Sequence, residues 1–446
     1  MTSPTRTRRF GLVWLILPML SAAWLHLGPM MLRHVVGQDA AAVPNKIVDA
    51  PQPDKNDTKA FNELFTTSTD PGKVPPAAVP LIDKMVLATV ADFTQPATTD
   101  APSGATKKRS DGRRKIAQAW PLPVKDLHKA LNLATINQGM PIVLDKDVSP
   151  VARTNILLLI GSLDRQEREG ATQAIALPEG TLKLIEVIKN NDLPAYLHVA
   201  AAESMVRHAE LETTPPQRKE MIAALLPFLS TERPANYDVA GWTWLRKRAA
   251  NIAALFAEKN FSEANDPALI AGLINVMSDD KVSFNTRLDA AVALGAFDGK
   301  AVGPKVKEGL VGVGDTARAM LLDCADDKKA RPLVVHVLQM LMASMEVIKR
   351  EPLPDVGGVK QTVNEAKGLA AGADANQKNT ALTLRGKFQA GYKQIVDLKG
   401  GPYIDAVHRP VLDQIATDID AIVKPLRGNA VAAAAPVAGQ KPADKK

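Results

Sequence analysis

One short pattern occurs twice in this 446-residue chain, far apart: RTNILLLIGSL at 153–163 and RLDAAVALGAF at 287–297. Each copy opens on an arginine, runs through small or branched apolar residues, and carries a glycine (Gly161, Gly295). In the second copy Leu288, Ala291, Val292 and Gly295 fall at offsets 0, 3, 4 and 7, the spacing of one helix face. The preceding text supplies a partner for that face. DPALIAGLINVM offers Asp266 as an N-cap and Pro267 at the first helical position. Leu269, Ile270, Leu273, Ile274 and Met277 then follow at helical spacing, and the polar turn SDDKVS leads into the second copy. This is a helical hairpin. A single hairpin cannot bury its apolar face alone, so the unit must recur and stack.

The same pairing reads three more times. PVKDLHKALNLA pairs with ARTNILLLIGSL, PEGTLKLIEVIKN with AYLHVAAAESMVRHA, and PPQRKEMIAALLPFL with WLRKRAANIAALFA. Aligning the second helices at Arg153, His198, Arg248 and Arg287 gives spacings of 45, 50 and 39 residues. These second helices resemble the second helix of HEAT repeats: an arginine near the start, a run of alanine and small apolar residues, then Leu-Gly near the end. In this alignment Arg248 ends in Phe256 rather than glycine, and His198 and Val206 replace the arginine and the glycine. Pro227 in IAALLPFL is similar to the proline of the first HEAT helix. The resemblance implies an all-α fold: an α-solenoid of about four to five HEAT-like helical hairpins with a helical C-terminal cap. It implies structural roles for Arg153, Gly161, Arg248, Arg287 and Gly295. Arg287, for instance, is expected to bond a carbonyl or carboxylate of an adjacent turn, such as Asp279 or Asp280. Aromatic residues make up only 4% of the chain, which also favours packed helices over sheet.

The ends of the chain read differently. TRTRRF is followed by an apolar segment from Phe10 to Leu32 without a Lys, Arg, Asp or Glu. Either a signal peptide is cut after Ala23, or residues 10–32 remain as a signal anchor across the membrane. The arginines precede the segment, so both readings export the body of the chain to the periplasm or cell envelope. An exported helical-repeat chain of this kind resembles bacterial envelope HEAT-repeat proteins. Residues 1–34 are thus a leader or anchor, 35–115 a Pro/Thr-rich, largely disordered linker, 116–350 the helical repeats, 351–428 a C-terminal helical region, and 429–446 a disordered tail. Two islands in the linker, KAFNELF (59–65) and PLIDKMVLATVADF (80–93), read as short helices.

Searching for chemistry excludes more than it finds. Cys324 is the only cysteine, so no intramolecular disulfide or cysteine-based zinc site can form. The histidines make no H-E-x-x-H pair, and His198 and His208 lie too far apart along one helix to share a metal. GLVGVGD (309–315) lacks the Lys-Ser/Thr of a phosphate loop and reads as a helix interruption. No cofactor, metal or small-molecule substrate is expected. The basic run KKRSDGRRK (107–115) has no aromatic residues for base stacking, so nucleic acid is not expected either. The one aromatic-basic cluster is YDVAGWTWLRKR, in a long insertion before a second helix. Tyr237, Trp242, Trp244 and Arg246 either cover the hairpin's end or form a rim that binds a protein partner. The chain therefore reads as a non-enzymatic interaction scaffold with Tyr237, Trp242, Trp244 and Arg246 as the candidate partner site. The competing reading is an enzyme or accessory subunit with a site on the C-terminal helices.

Overall fold

The computed structural model describes residues 44–66, 74–95, 125–166, 174–211, 213–230, 232–326, 367–396 and 405–427, and short stretches between 338 and 345. The apolar segment 10–32, the basic run 107–115 and the tail from 429 lie outside the described residues. The fold is all-α. The only sheet among the described residues pairs β1 (Asp164–Gln166) with β2 (Ile175–Ala176), antiparallel. No helix among them is long and apolar enough to cross a membrane. The described residues form two compact units, one of those up to Ile160 with Leu193–Ala200, the other of Gly161–Asp192 with those from Ala201 onward.

In the first unit the two linker islands are helices, α1 (Lys55–Thr66) and α2 (Val79–Ala91). Both pack: α1 lies on α2, and α2 on α3 (Lys125–Leu144). Ile82, Val86, Val90 and Phe93 are buried there. Upstream, Val48 N donates to Thr94 Oγ1 at 3.0 Å and Lys46 pairs with Asp145 at 2.7 Å. The text around the islands is loop-like, but they dock because each carries an apolar face.

Four hairpins come next in the chain: α3 with α4 (Pro150–Gly161), α5 (Pro178–Lys189) with α6 (Ala195–Glu210), α7 (Pro215–Ser230) with α8 (Val239–Glu258), and α9 (Pro267–Ser278) with α10 (Phe284–Ala296). Asp266 caps α9 as expected, accepting from Ala268 N at 2.8 Å, with Pro267 opening the helix. In the second unit α5 packs on α7, α7 on α9, and α8 on α10.

A recurring arginine fixes the register. The last carbonyls of a helix have no intrahelical donor. Arg153 Nε donates to Val143 O at 2.7 Å, Arg246 Nε to Phe228 O at 3.1 Å, and Arg287 Nε to Met277 O at 2.7 Å. Each accepting carbonyl lies in the last turn of the first helix of that hairpin. The terminal guanidinium nitrogens reach onward: Arg153 to Tyr196 OH at 2.7 Å, Arg246 to Asp279 Oδ2 at 2.6 Å, Arg287 to Thr316 Oγ1 at 2.9 Å. Arg287 is therefore structural, held by the Met277 carbonyl, while Asp279 is taken by Arg246. The equivalent arginine of the third hairpin is Arg246, and the alignment on Arg248 is corrected. The spacings from Arg153 through His198, Arg246 and Arg287 become 45, 48 and 41 residues, and Ala254 rather than Phe256 stands where the first and fourth copies have Gly161 and Gly295.

Gly161 permits one close approach. A Cβ there would overlap Ser204, and the Gly161 carbonyl accepts from His208 Nε2 at 2.9 Å. Gly295 is buried within α10. Glycines have another use in the segment expected to interrupt a helix. GLVGVGD lies inside the unbroken helix α12 (Val306–Asp326), which comes after the short α11 (Gly299–Val302). A Cβ on Gly309, Gly312 or Gly314 would strike Leu369, Met277 or Val423 respectively. Those residues belong to α13 (Leu369–Gly372), α9 and α15 (Asp405–Arg427), each of which packs on α12. Packing gained at those approaches outweighs the ~1 kcal/mol helix penalty of each glycine. α15 buries Leu412, Ile415, Ala416, Ile419 and Val423, and packs also on α14 (Ala375–Val396). Val411 and Ile422, which flank this stripe, are half-buried.

Two side chains close helix ends. Lys259 Nζ donates to the carbonyls of Ala209, Glu210 and Leu211 at 2.7–3.0 Å, capping α6. Lys367 Nζ donates to Ala257 O at 3.0 Å at the end of α8. Cations at helix C-termini also meet the negative end of the helix dipole. His208 is fully buried. Its Nε2 must carry the proton, since the Gly161 carbonyl only accepts, and Nδ1 takes a hydrogen bond from Thr181 Oγ1 at 2.7 Å. Burial, with Arg207 adjacent, holds its pKa down at about 4.

The packing gives two glycine substitutions opposite signs. Gly314→Ala should destabilise the chain by about 1–3 kcal/mol through overlap with Val423. Gly386→Ala in α14, where nothing lies within 4 Å, should stabilise it by about 0.5–1 kcal/mol. Denaturant midpoints of the two variants should therefore move in opposite directions. His208 is neutral when folded, so its contribution is present above its unfolded pKa of 6.5 and is lost as pH falls toward about 4. His208→Gln should cost stability at pH 7, and that cost should shrink by about 2–3 kcal/mol at pH 4.5. Paired denaturation curves at the two pH values check it.

Candidate functional site

Helix α8 has two faces with different fates. Its N-cap, Asp238, accepts from Gly241 N, so the helix begins at Val239 and not near Trp244. The expected long insertion shrinks to residues 231–238, and Trp242 falls one turn inside the helix. There it meets Phe228 at 5.4 Å and Tyr237 at 5.2 Å between ring centroids, both edge-on. Tyr237, Trp242 and Arg246 are all buried. This corrects the expectation that they form an open partner rim. Two rings meet a third across the hairpin, and removing them from water is the stabilising arrangement. Arg246 is committed to Phe228 O and Asp279.

Trp244 belongs to the other face. It leads a row with Lys247, Arg248 and Asn251 at offsets 0, 3, 4 and 7, all half-buried. A carboxylate from α6 meets this row. Glu203 Oε2 accepts from Trp244 Nε1 at 3.2 Å and from Arg248 Nε. The Arg248 guanidinium lies 4.3 Å from the centre of the Trp244 ring, and its Nη1 donates to Asn251 Oδ1 at 3.3 Å. From α10, Asp289 faces Lys247 Nζ at 3.5 Å. Farther along α6, Arg207 Nη2 donates to Asp164 Oδ2 of β1 at 2.6 Å. The second-unit part of α6, from Ala201 onward, thus shares one ion-paired face with α8 and α10.

The charges on it are layered. Arg207 and Lys247 keep 37% and 31% of their side chains exposed, while Asp164, Glu203 and Asp289 keep 3%, 9% and 19%. Burial raises the pKa of Glu203 against the pull of Arg248, and burial raises that of Asp289 against Lys247. Asp164 and Glu203 are buried anchors for Arg207 and Arg248. Sequence reasoning singles out Trp244 and Arg248. Lys247 lies in the same aromatic-basic cluster, while Arg207, Asn251, Glu203 and Asp289 are missed, although the spacing from Trp244 to Asn251 is an available signal.

Among the described residues no group of three or more His, Cys, Asp or Glu is placed to bind a metal. A small open pocket of about 100 Å³ is lined by Ala257, Asn260, Phe261, Asn265, Asp298 and Lys367, where Lys367 is engaged in capping α8. No protein-family model, curated protein or solved structure matches the chain.

Substitutions separate the two faces. Trp242→Ala should cost about 3–5 kcal/mol as a core truncation. Arg248→Met should cost about 3–5 kcal/mol by leaving Glu203 buried and unpaired. Adding Glu203→Gln to Arg248→Met should recover much of that loss. A double-mutant cycle from denaturant titrations measures the coupling.

Proposed function

We propose that the chain is a non-enzymatic protein-interaction scaffold of the cell envelope. In this reading the hairpins form a HEAT-like α-solenoid, and a partner protein docks on the face carrying Trp244, Lys247 and Arg248. The observation that supports it most is that face itself: a tryptophan beside the partly buried Lys247 and Arg248, which are held by the half-buried Asp289 and the buried Glu203. Tryptophan and arginine at a rigid, partly desolvated surface are the usual content of binding hot spots. The regular spacing of the arginine positions supports the repeat reading. The apolar segment 10–32 behind Arg6, Arg8 and Arg9 supports export, with that segment either cleaved or anchoring the chain.

A photo-crosslinking residue tests the face in the full chain in its own cells. Placed at Asn251, it should trap a protein adduct after illumination. Placed at Leu182, exposed on the first-helix side in α5, it should trap none. Adducts from neither position, or the same adducts from both, would overturn the proposal.

A further inference from the structure

Two segments that the scaffold reading leaves unused have the same form. Asp54-Lys55-Asn56-Asp57-Thr58 and Glu258-Lys259-Asn260-Phe261-Ser262 each place an acid two positions before an asparagine and a hydroxyl two positions after it. The later half of that pattern, Asn-x-Ser/Thr, is the acceptor sequence for N-linked glycans. These are the two Asn-x-Ser/Thr triplets of the chain, and both carry the acid. Asp and Glu fill only 48 of the 446 positions, so an acid in that place in both is not what chance supplies. A carboxylate there is what bacterial oligosaccharyltransferases read in addition to the triplet.

Both asparagines are exposed. Asn56 lies in the first turn of α1, where the Asp57 amide donates to Asp54 Oδ1 at 2.7 Å and the Asp54 amide to Asp57 Oδ2 at 2.9 Å. Thr58 Oγ1 donates to the Asp54 carbonyl at 2.9 Å, so the acid and the hydroxyl share one tight turn with Asn56 between them. Asn260 ends α8. Its φ of 56° is left-handed, a region that asparagine enters more readily than most residues with a side chain. Its amide donates to the Ala257 carbonyl at 3.1 Å and that of Phe261 to the Phe256 carbonyl at 3.0 Å, which closes the helix. That turn accounts for an asparagine at 260, but not for the recurrence of the acid and the hydroxyl around it. Asn260 also lines the open pocket of about 100 Å³, where Asn265 and Asp298 supply polar groups suited to sugar hydroxyls.

We infer that Asn56 and Asn260 are N-glycosylated as the chain is exported. The inference rests on the export reading, because the transferase and its donor act on the far side of the membrane from the ribosome. The donor is a polyprenyl-diphosphate-linked oligosaccharide. The bond from C1 of its first sugar to the phosphate oxygen breaks, and the lipid diphosphate leaves. A bond forms from that C1 to the asparagine Nδ2, which gives up one proton. The product must stay in solvent after folding, and both positions allow it.

Peptide mass spectrometry of the full chain purified from its own cells tests the assignment, with protease accessibility in spheroplasts reporting export separately. Both asparagines should carry the same sugar-containing mass increment. Asn56→Gln and Asn260→Gln should each remove one increment, and the double variant both. Ser262→Ala and Glu258→Gln should each strip Asn260 while leaving that asparagine in place, and Ser262→Thr should retain the increment. Asn379→Gln, exposed on α14 but followed two places later by Ala381, should change nothing. Unmodified Asn56 and Asn260 in a chain that external protease reaches would overturn the inference and leave the export reading standing. Unmodified asparagines in a chain that the protease cannot reach would overturn both. Modification of one asparagine alone would overturn the assignment of the other, and increments that persist in the double variant would overturn it for both.

Discussion

The arrangement of the hairpins depends on a bond from an arginine Nε to a carbonyl in the last turn of the preceding helix. A helix end removed from water leaves carbonyls without donors, and each such group is costly if nothing replaces the solvent. Arg153, Arg246 and Arg287 replace it from the second helix of the same hairpin. The contact sets the depth at which the two helices slide past one another. Because the same guanidinium also bonds a group farther along the chain, one side chain ties a hairpin both to itself and to a later segment. The buried positive charge is tolerated because the planar head offers several donors and each one used finds an oxygen.

This explains which parts of the fold are legible in the sequence. Helices, hairpins and their order are visible because apolar spacing and caps such as Asp266-Pro267 act locally. The third repeat misaligns for a geometric reason. Arg246 and Arg248 stand two residues apart, about 200° around the helix, so they point to nearly opposite sides. Only tertiary contact shows that Arg246 faces the Phe228 carbonyl while Arg248 faces Glu203. The glycines of GLVGVGD mislead for a related reason. Local propensity argues against a helix through them, and the neighbours that compensate, Leu369 and Val423, are distant in the chain.

The candidate site is half legible. The row Trp244, Lys247, Arg248 and Asn251 carries its helical spacing openly in the sequence. Its anchors do not: Glu203 lies 41 residues before Trp244, and nothing in the text of α6 marks that glutamate as the one that turns inward. Tyr237 and Trp242 read as a rim because aromatic and basic residues mingle there. The deciding fact is where α8 begins. Once Asp238 caps the helix, Trp242 shares the side of Leu245, Arg246 and Ala249, all of which are buried.

The buried polar groups share a logic that separates specificity from strength. A buried ion pair such as Arg248–Glu203 adds little net stability over a well-packed apolar pair, because desolvation offsets most of the attraction. What it adds is intolerance of alternatives. A slide of one turn would leave a carboxylate, a guanidinium or the neutral His208 without its partner, each costing more than the apolar contacts regained. Repeated helices with small, similar faces are open to such slides, since alanine packs against alanine almost equally well in several registers. The arginine bonds, the lysine caps on α6 and α8, and the ion-paired face all act against them. That same fixed register gives the side chains of the α6–α8–α10 face definite positions, each one set by a neighbour on another helix.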